Sequence, residues 1–395
     1  PMPRVLRIIN RFNLGGPTYN AALLTKYMAP EFETLLVAGE KMESEESSEF
    51  ICRDLGIDYR FLSGMKREIN VMNDVRAYQK IKSLIHEFKP DIVHTHAAKA
   101  GALGRMAASR LSVPVIVHTF HGHVFHSYFN PVKTKIFLSI ERYLAAKSSA
   151  IIALSEQQKH ELTTIYKVCS SDKIKVIPLG FDLNRFQENK DEKRRLFREK
   201  YSIDNNEIAL GIIGRLVPVK NHQLFLKSIK YLQQNTVKRV RAFVIGGGEE
   251  LHKLKELASN MQVDSVSGGE KGRRALLTFT SWEKNIDEVM AGLDIVALTS
   301  LNEGTPVSLI EAQAAGKPII ATRVGGIENV VQENVNALLI PSDDEQLFMK
   351  SLLRLVEDEN LRKKMTGGGW EHVKERFHYT RLVSDMKALY SQLLG

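Results

Sequence analysis

Short apolar runs alternate with longer amphipathic stretches along the whole 395-residue chain, and no other feature constrains the fold as much. In the first half the apolar runs lie at residues 5–9, 34–38, 92–95, 115–119 and 151–154. Helical spacing fills the gaps at 19–27, 75–88 and 133–146. In the second half, runs at 208–213, 241–245, 276–279, 295–299 and 319–321 alternate with helical patterns at 223–232, 249–258 and 309–315. Strand, helix, strand repeated on this scale predicts parallel sheets covered by helices, the α/β class.

The length suits two such domains, each able to bury its own core. A polar, charge-rich stretch over 184–207 separates the halves, which places the domains at 1–190 and 191–377. The last segment, 378–395, is amphipathic at helical spacing without an evident cap, and is free to pack back on the first domain. Apolar residues at 43% and charged residues at 26% are ordinary for a globular protein and exclude disorder, collagen and coiled coil.

Cys52 and Cys169 are too few for a disulfide framework or a four-thiolate zinc site, and suit a reducing compartment. No apolar run is long enough for a transmembrane helix. The chain enters a strand at Val5-Leu6, leaving no room for a signal peptide, so a cytoplasmic location is expected. The net charge of +9 is uneven: 26 Lys+Arg face 19 Asp+Glu over residues 1–190, against 29 and 27 over 191–395. A basic first half suits nucleic acid, anionic lipid or a phosphorylated substrate, or is simply a solvated surface.

Four segments could carry chemistry. Gly15-Gly16 follows the first strand and opens a helix, where backbone N–H groups can approach an anion. Six of the twelve histidines, His94, His96, His118, His121, His123 and His126, fall within 33 residues at strand ends. Their spacing matches no standard zinc site, and the carboxyl ends of parallel strands favour a substrate pocket over structural histidines. Arg215 and Lys220 sit on the loop after the strand at 208–213, where a planar fork and a point charge suit a diphosphate. Glu303 lies in the loop after the strand at 295–299, with Glu311 eight residues on in the next helix. Between them Gly304, Thr305, Pro306 and Val307 form the start of that helix, a place for an anion.

Glu303 and Glu311 resemble the Glu, seven residues, Glu motif of family 4 glycosyltransferases, which have the GT-B fold. Gly15-Gly16, Thr119-Phe120-His121-Gly122, the segment 176–182, Gly214-Arg215 with Lys220, and the segment 321–326 look like that family too, in its order and over nearly the whole chain. The resemblance implies two Rossmann-like, doubly wound domains facing an interdomain cleft. It implies transfer of a sugar from a nucleotide-sugar, often a UDP-sugar, to an acceptor hydroxyl with retention of anomeric configuration. Carried over, Arg215 and Lys220 hold the diphosphate, Glu311 binds the ribose, and Glu303 with Gly304–Val307 contacts the donor sugar and phosphate. Gly16 lets the first loop approach the diphosphate, and His121 contacts the sugar near the reacting carbon.

No Asp-x-Asp occurs, so the cations are expected to do a metal's work and neither metal nor cofactor is expected. Trp282 is a candidate to stack on the base, and 265–274 reads as a polar, glycine-rich loop. Lys99, Arg105 and Arg110, with Lys133, Lys135, Arg142 and Lys147 beside apolar Ile136, Phe137, Ile140 and Leu144, suggest an acceptor side touching anionic membrane, where a lipid-linked acceptor in polysaccharide assembly would lie. Two other readings compete. One is a UDP-N-acetylglucosamine 2-epimerase of the same architecture, recruiting the histidines; the other is a nucleic-acid-binding module, for which no motif is present.

Overall fold

The computed structural model describes residues 2–12, 16–39, 48–65, 70–121, 131–268 and 273–395, with the backbone alone at 131–133. Contacts divide the chain into two compact units, one ending at Phe181 and completed by Arg376–Gly395, the other Asp182–Glu375. The first junction thus falls at 181/182 and not at 190/191. Residues 182–190 belong with the second unit because Arg185 pairs with Asp287 at 3.1 Å and Gln187 donates to the Ala314 carbonyl.

In the first unit, strands β1 (Arg4–Arg11), β2 (Glu33–Gly39), β3 (Tyr59–Leu62), β4 (Ile92–His96), β5 (Val115–Thr119), β6 (Ala150–Ala153) and β7 (Ile174–Val176) form one sheet, ordered β3-β2-β1-β4-β5-β6-β7. Every pairing is parallel. The two-residue period of a strand sends neighbours to opposite faces. Val5, Ile92, Val115 and Val117 therefore meet the helices Gly16–Tyr27 and Tyr379–Leu394, while Leu6, Ile8, Val93 and Ile116 meet Val71–Phe88 and Ala98–Arg110.

The helix Tyr379–Leu394 returns to this unit, burying Leu382, Met386, Leu389 and Tyr390. It has a cap after all: the His378 ring Nδ1 accepts from the Thr380 N–H at 3.3 Å. A histidine serves here in place of the Ser, Thr, Asp or Asn that announces a helix start.

The second unit repeats the plan with β8 (Ile208–Ile213), β9 (Val240–Ile245), β10 (Ser265–Ser267), β11 (Leu277–Ser281), β12 (Ile295–Leu298), β13 (Ile319–Arg323) and β14 (Ala337–Pro341). Their order is β10-β11-β9-β8-β12-β13-β14, again all parallel. The loop expected at 265–274 therefore begins as an edge strand, and 269–272 lie outside the described residues. In each sheet the chain first builds outward on one side of a central strand and then crosses to its other side. These switch points lie between β1 and β4 and between β8 and β12, and such crevices hold ligands at the carboxyl ends of the strands.

Candidate active site

At the switch point of the second unit, four loops interlock. The loop after β8 bonds to the loop after β12 twice: the Leu301 N–H reaches the Val219 carbonyl at 2.8 Å, and Thr299 Oγ1 reaches the Lys220 carbonyl at 2.9 Å. The loop after β13 joins them through the Gly326 N–H on the Glu303 carbonyl, 2.9 Å. A Cβ on Gly325, at φ 51°, would stand 2.1 Å from that carbonyl oxygen, so only glycine lets these backbones meet. The loop after β9 closes the ring, its Gly246 at φ 142° lying where a Cβ would strike the Gly214 carbonyl.

Within this ring Lys220 Nζ lies 2.5 Å from Glu303 Oε1, which also accepts from Ser300 Oγ at 2.5 Å. Glu303 is buried and Lys220 partly so, which makes the pair a fixed part of the loop. Arg215 differs: it is exposed and, among the described residues, its guanidinium has no partner. The helix Val307–Ala314 starts beside Glu303 with Pro306 at its cap position and no side chain capping it. Pro306 itself has no N–H to offer, which leaves those of Gly304, Thr305 and Val307. Gly304 faces open space.

Glu311 has other surroundings, the Arg185 and Asp287 side chains, and among the described residues it shares no partner with Glu303. Desolvation pushes its carboxyl up to about 7, Arg185 opposing and Asp287 adding. A carboxylate raised in the folded state takes up a proton on folding between its ordinary value and 7, so stability falls as pH rises through that window. Glu311→Gln is expected to remove this slope and to gain about 1–2 kcal/mol at pH 8, after discounting for partial exposure, in urea unfolding across pH 5–8.

Two residues here had no signal beyond an ordinary helix start. His222 is buried and, among the described residues, both its ring nitrogens lack a partner; burial plus the Lys220 charge lower it to about 4. Glu250, also buried, opposes that shift and pairs with Lys253 at 2.9 Å. Trp282 packs over the loop after β9, its Nε1 3.0 Å from where a Gly247 Cβ would lie.

Three members of the histidine cluster do not line an open substrate pocket. His94, His96 and His118 have no exposed surface, because β4 and β5 are central strands covered on both faces. Burial foremost, with neighbouring Arg7, Arg105 and ring charges, holds all three well below the usual histidine range. His118 Nδ1 lies 2.8 Å from Thr95 Oγ1. Among the described histidines, His96 ends β4 and His121 lies just beyond β5, at the sheet's carboxyl edge, and burial lowers His121 to about 3. Gly15, Gly122, His123 and His126 lie outside the described residues, as does the Lys133 side chain. Gly16 opens its helix with Leu179 3.1 Å from where a Cβ would sit.

The expected acceptor-side cations divide. Arg105 is fully buried against Glu141 at 2.7 Å, and Lys99 pairs with Asp74 at 2.6 Å, so Arg105 is no surface cation. On the helix Pro131–Lys147, Leu144 and Ala145 are buried, whereas Ile136, Ile140 and Tyr143 are exposed at 56%, 41% and 61%. Lys135 and Lys147 flank that stripe. Among the described residues no helix is long and apolar enough to cross a membrane, and no group of three or more His, Cys, Asp or Glu is arranged to hold a metal ion.

Two Rossmann-like units with parallel seven-stranded sheets are the GT-B architecture of glycosyltransferases. The solved structure of HepE from Anabaena, in complex with UDP, matches at TM-score 0.79 and 18% identity, covering 98% of this chain and 100% of that one. Residues 15–185 match Glycosyltransferase Family 4, and residues 193–370 match Glycosyl transferases group 1. UDP-Gal:alpha-D-GlcNAc-diphosphoundecaprenol alpha-1,3-galactosyltransferase from Escherichia coli is 30% identical over 344 residues, 85% of this chain and 84% of that protein. D-inositol 3-phosphate glycosyltransferase from Saccharomonospora viridis is 24% identical over 325 residues, 77% and 70% of the two chains. The chain belongs to the family 4, group 1 glycosyltransferases, enzymes that pass a sugar from a nucleotide-sugar to an acceptor. The epimerase and nucleic-acid readings give way to it.

Proposed function

We propose that this glycosyltransferase takes its sugar from a UDP-sugar, retains the anomeric configuration, needs no metal, and delivers to a hydroxyl of a lipid-linked saccharide at the cytoplasmic membrane face. The observation that carries the donor half is Arg215, exposed and without a partner among the described residues, on the loop whose Lys220 is anchored by Glu303. The bond from the anomeric carbon to the diphosphate oxygen breaks, and both electrons leave with the diphosphate. Arg215, Lys220 and the N–H groups of Gly304, Thr305 and Val307 stabilise that charge in place of a metal. The acceptor oxygen bonds to the same face of the carbon, and its proton passes to the departing phosphate. Glu303 orients Lys220 and meets the sugar; Glu311 accepts from the ribose hydroxyls, so donor affinity rises as pH passes about 7.

The acceptor half rests on the exposed Ile136, Ile140 and Tyr143 stripe flanked by Lys135 and Lys147, which suits an anionic bilayer. The Escherichia coli relative acts, by its name, on a diphosphoundecaprenol-linked sugar, which supports the same reading.

The test is a panel of UDP-, GDP- and ADP-sugars, scored for binding and slow hydrolysis with and without EDTA. Turnover is then measured with a sugar-diphosphopolyprenol or an inositol phosphate as acceptor. Binding and turnover with a UDP-sugar in EDTA, and transfer to the polyprenol acceptor, are expected. Failure to bind any nucleotide-sugar would sink the reading; loss of activity in EDTA restored by manganese would remove its metal-free part. Sedimentation with liposomes should rise with anionic lipid content, and Ile136→Asp should weaken it.

A further inference from the structure

The donor chemistry does not account for Arg7. It is fully buried in β1, and among the described residues no carboxylate pairs with it. A buried cation without a counter-charge is costly, so its neighbours indicate what holds it there. Its Nη1 lies 3.0 Å from His94 Nδ1 and 3.4 Å from His96 Nε2. A guanidinium only donates, so both ring nitrogens accept. Burial foremost keeps both rings neutral, the Arg7 charge following for His94 and the neighbouring rings, then Arg7, for His96. A neutral imidazole that accepts at one nitrogen carries its hydrogen on the other. His94 accordingly donates from Nε2 to Thr119 Oγ1 at 2.8 Å. His96 donates from Nδ1 to His121 Nε2, also at 2.8 Å.

The same rule passes one ring further. His121 is neutral and accepts at Nε2, so its hydrogen sits on Nδ1. That Nδ1 is buried and has no partner among the described residues.

We propose that Arg7 and His96 are positioning residues: Arg7 fixes the tautomer of His96, and His96 fixes His121 with its Nδ1–H unengaged and ready to donate. His121 then offers the ligand a hydrogen-bond donor and not a base. It cannot take the acceptor's proton in this state; it holds an oxygen of the bound ligand. That this ligand is a nucleotide-sugar rests on the proposed function, whereas the tautomer does not.

The experiment is a long-range proton–nitrogen spectrum of the full chain labelled at histidine nitrogen, with His121 assigned by the signal lost in His121→Gln. The wild-type protein is expected to show a protonated Nδ1 and an unprotonated Nε2 at His121. The opposite pattern overturns the relay whatever the activity. His96→Leu is expected to move His121 toward the other tautomer and to lower hydrolysis of a UDP-sugar by about 10–100-fold, the range for partners that orient a functional ring. His96→Asn, whose amide N–H falls near the lost Nδ1–H, should restore the pattern and most of the lost turnover. A merely structural histidine would leave the tautomer of His121 unchanged in His96→Leu, and that result also overturns the proposal. If His96→Leu does not fold, the wild-type spectrum decides. Failure to bind any nucleotide-sugar would remove the proposed function and leave the tautomer result standing.

Discussion

Arg215→Ala is expected to lower kcat/KM for the donor by about 10²–10³-fold, the usual cost of removing one group that stabilises charge in a transition state. The same variant should unfold at the wild-type temperature, because an exposed side chain without a partner among the described residues contributes within about 0.5 kcal/mol. The backbone on either side is held independently of the side chain: the Gly214 N–H bonds to the Ile245 carbonyl, the Leu216 N–H to the Gly247 carbonyl, and Leu216 is fully buried. Arg215→Lys keeps the charge but loses the planar fork, so it should recover only part of the rate. Lys220→Ala is the contrast. It removes the cation proposed to meet the phosphate and also strands the buried Glu303, so activity and stability should fall together. Measuring kcat/KM and thermal melting on both variants separates the roles, and wild-type kcat/KM in Arg215→Ala would exclude that residue from the leaving-group site.

The alternation of apolar runs carried the architecture because central parallel strands are buried on both faces and read as unbroken apolar segments. Strands at the edges lack that signature. Tyr59–Leu62 exposes its middle residues, Ser265–Ser267 is short and polar, and Ala337–Pro341 ends in a proline at the sheet's edge, where the missing N–H costs no ladder bond. The second-unit loops were legible for another reason: glycine, cation and carboxylate fall at strand ends, and sequence order alone sets them there. Charge burial was not legible. Arg105 looked like a surface cation until its distant partner Glu141, 36 positions on, was in place. The six histidines suggested a pocket by their density, but alternate positions in a covered central strand share one buried face, which takes His94 and His96 inward. Arg7 does carry a signal in the sequence: a cation set between the apolar pairs Val5-Leu6 and Ile8-Ile9 of the strand Arg4–Arg11.

Glu141→Ala tests how much that hidden charge matters. Its side chain is 7% exposed and that of Arg105 0%, and the pair joins the helix Ala98–Arg110 to the helix Pro131–Lys147. Among the described residues, removing the carboxylate leaves Arg105 with the Gly101 carbonyl at 2.9 Å as its remaining acceptor and with Nη1 already unpaired. A stranded buried charge of this kind is expected to cost about 3–5 kcal/mol, whereas replacing both partners with apolar residues of similar volume should restore most of it. Urea unfolding of Glu141→Ala, Arg105→Met and the double variant closes the cycle; single losses under about 1 kcal/mol would show that the pair is solvated. The same helix carries Ile136, Ile140 and Tyr143 outward. Loosening it from inside should weaken binding to anionic liposomes together with stability, while Ile136→Asp should weaken liposome binding alone. Only the second outcome reads the outer stripe as a membrane contact in its own right, since a helix that merely packs on the sheet would lose nothing when its exposed face becomes charged.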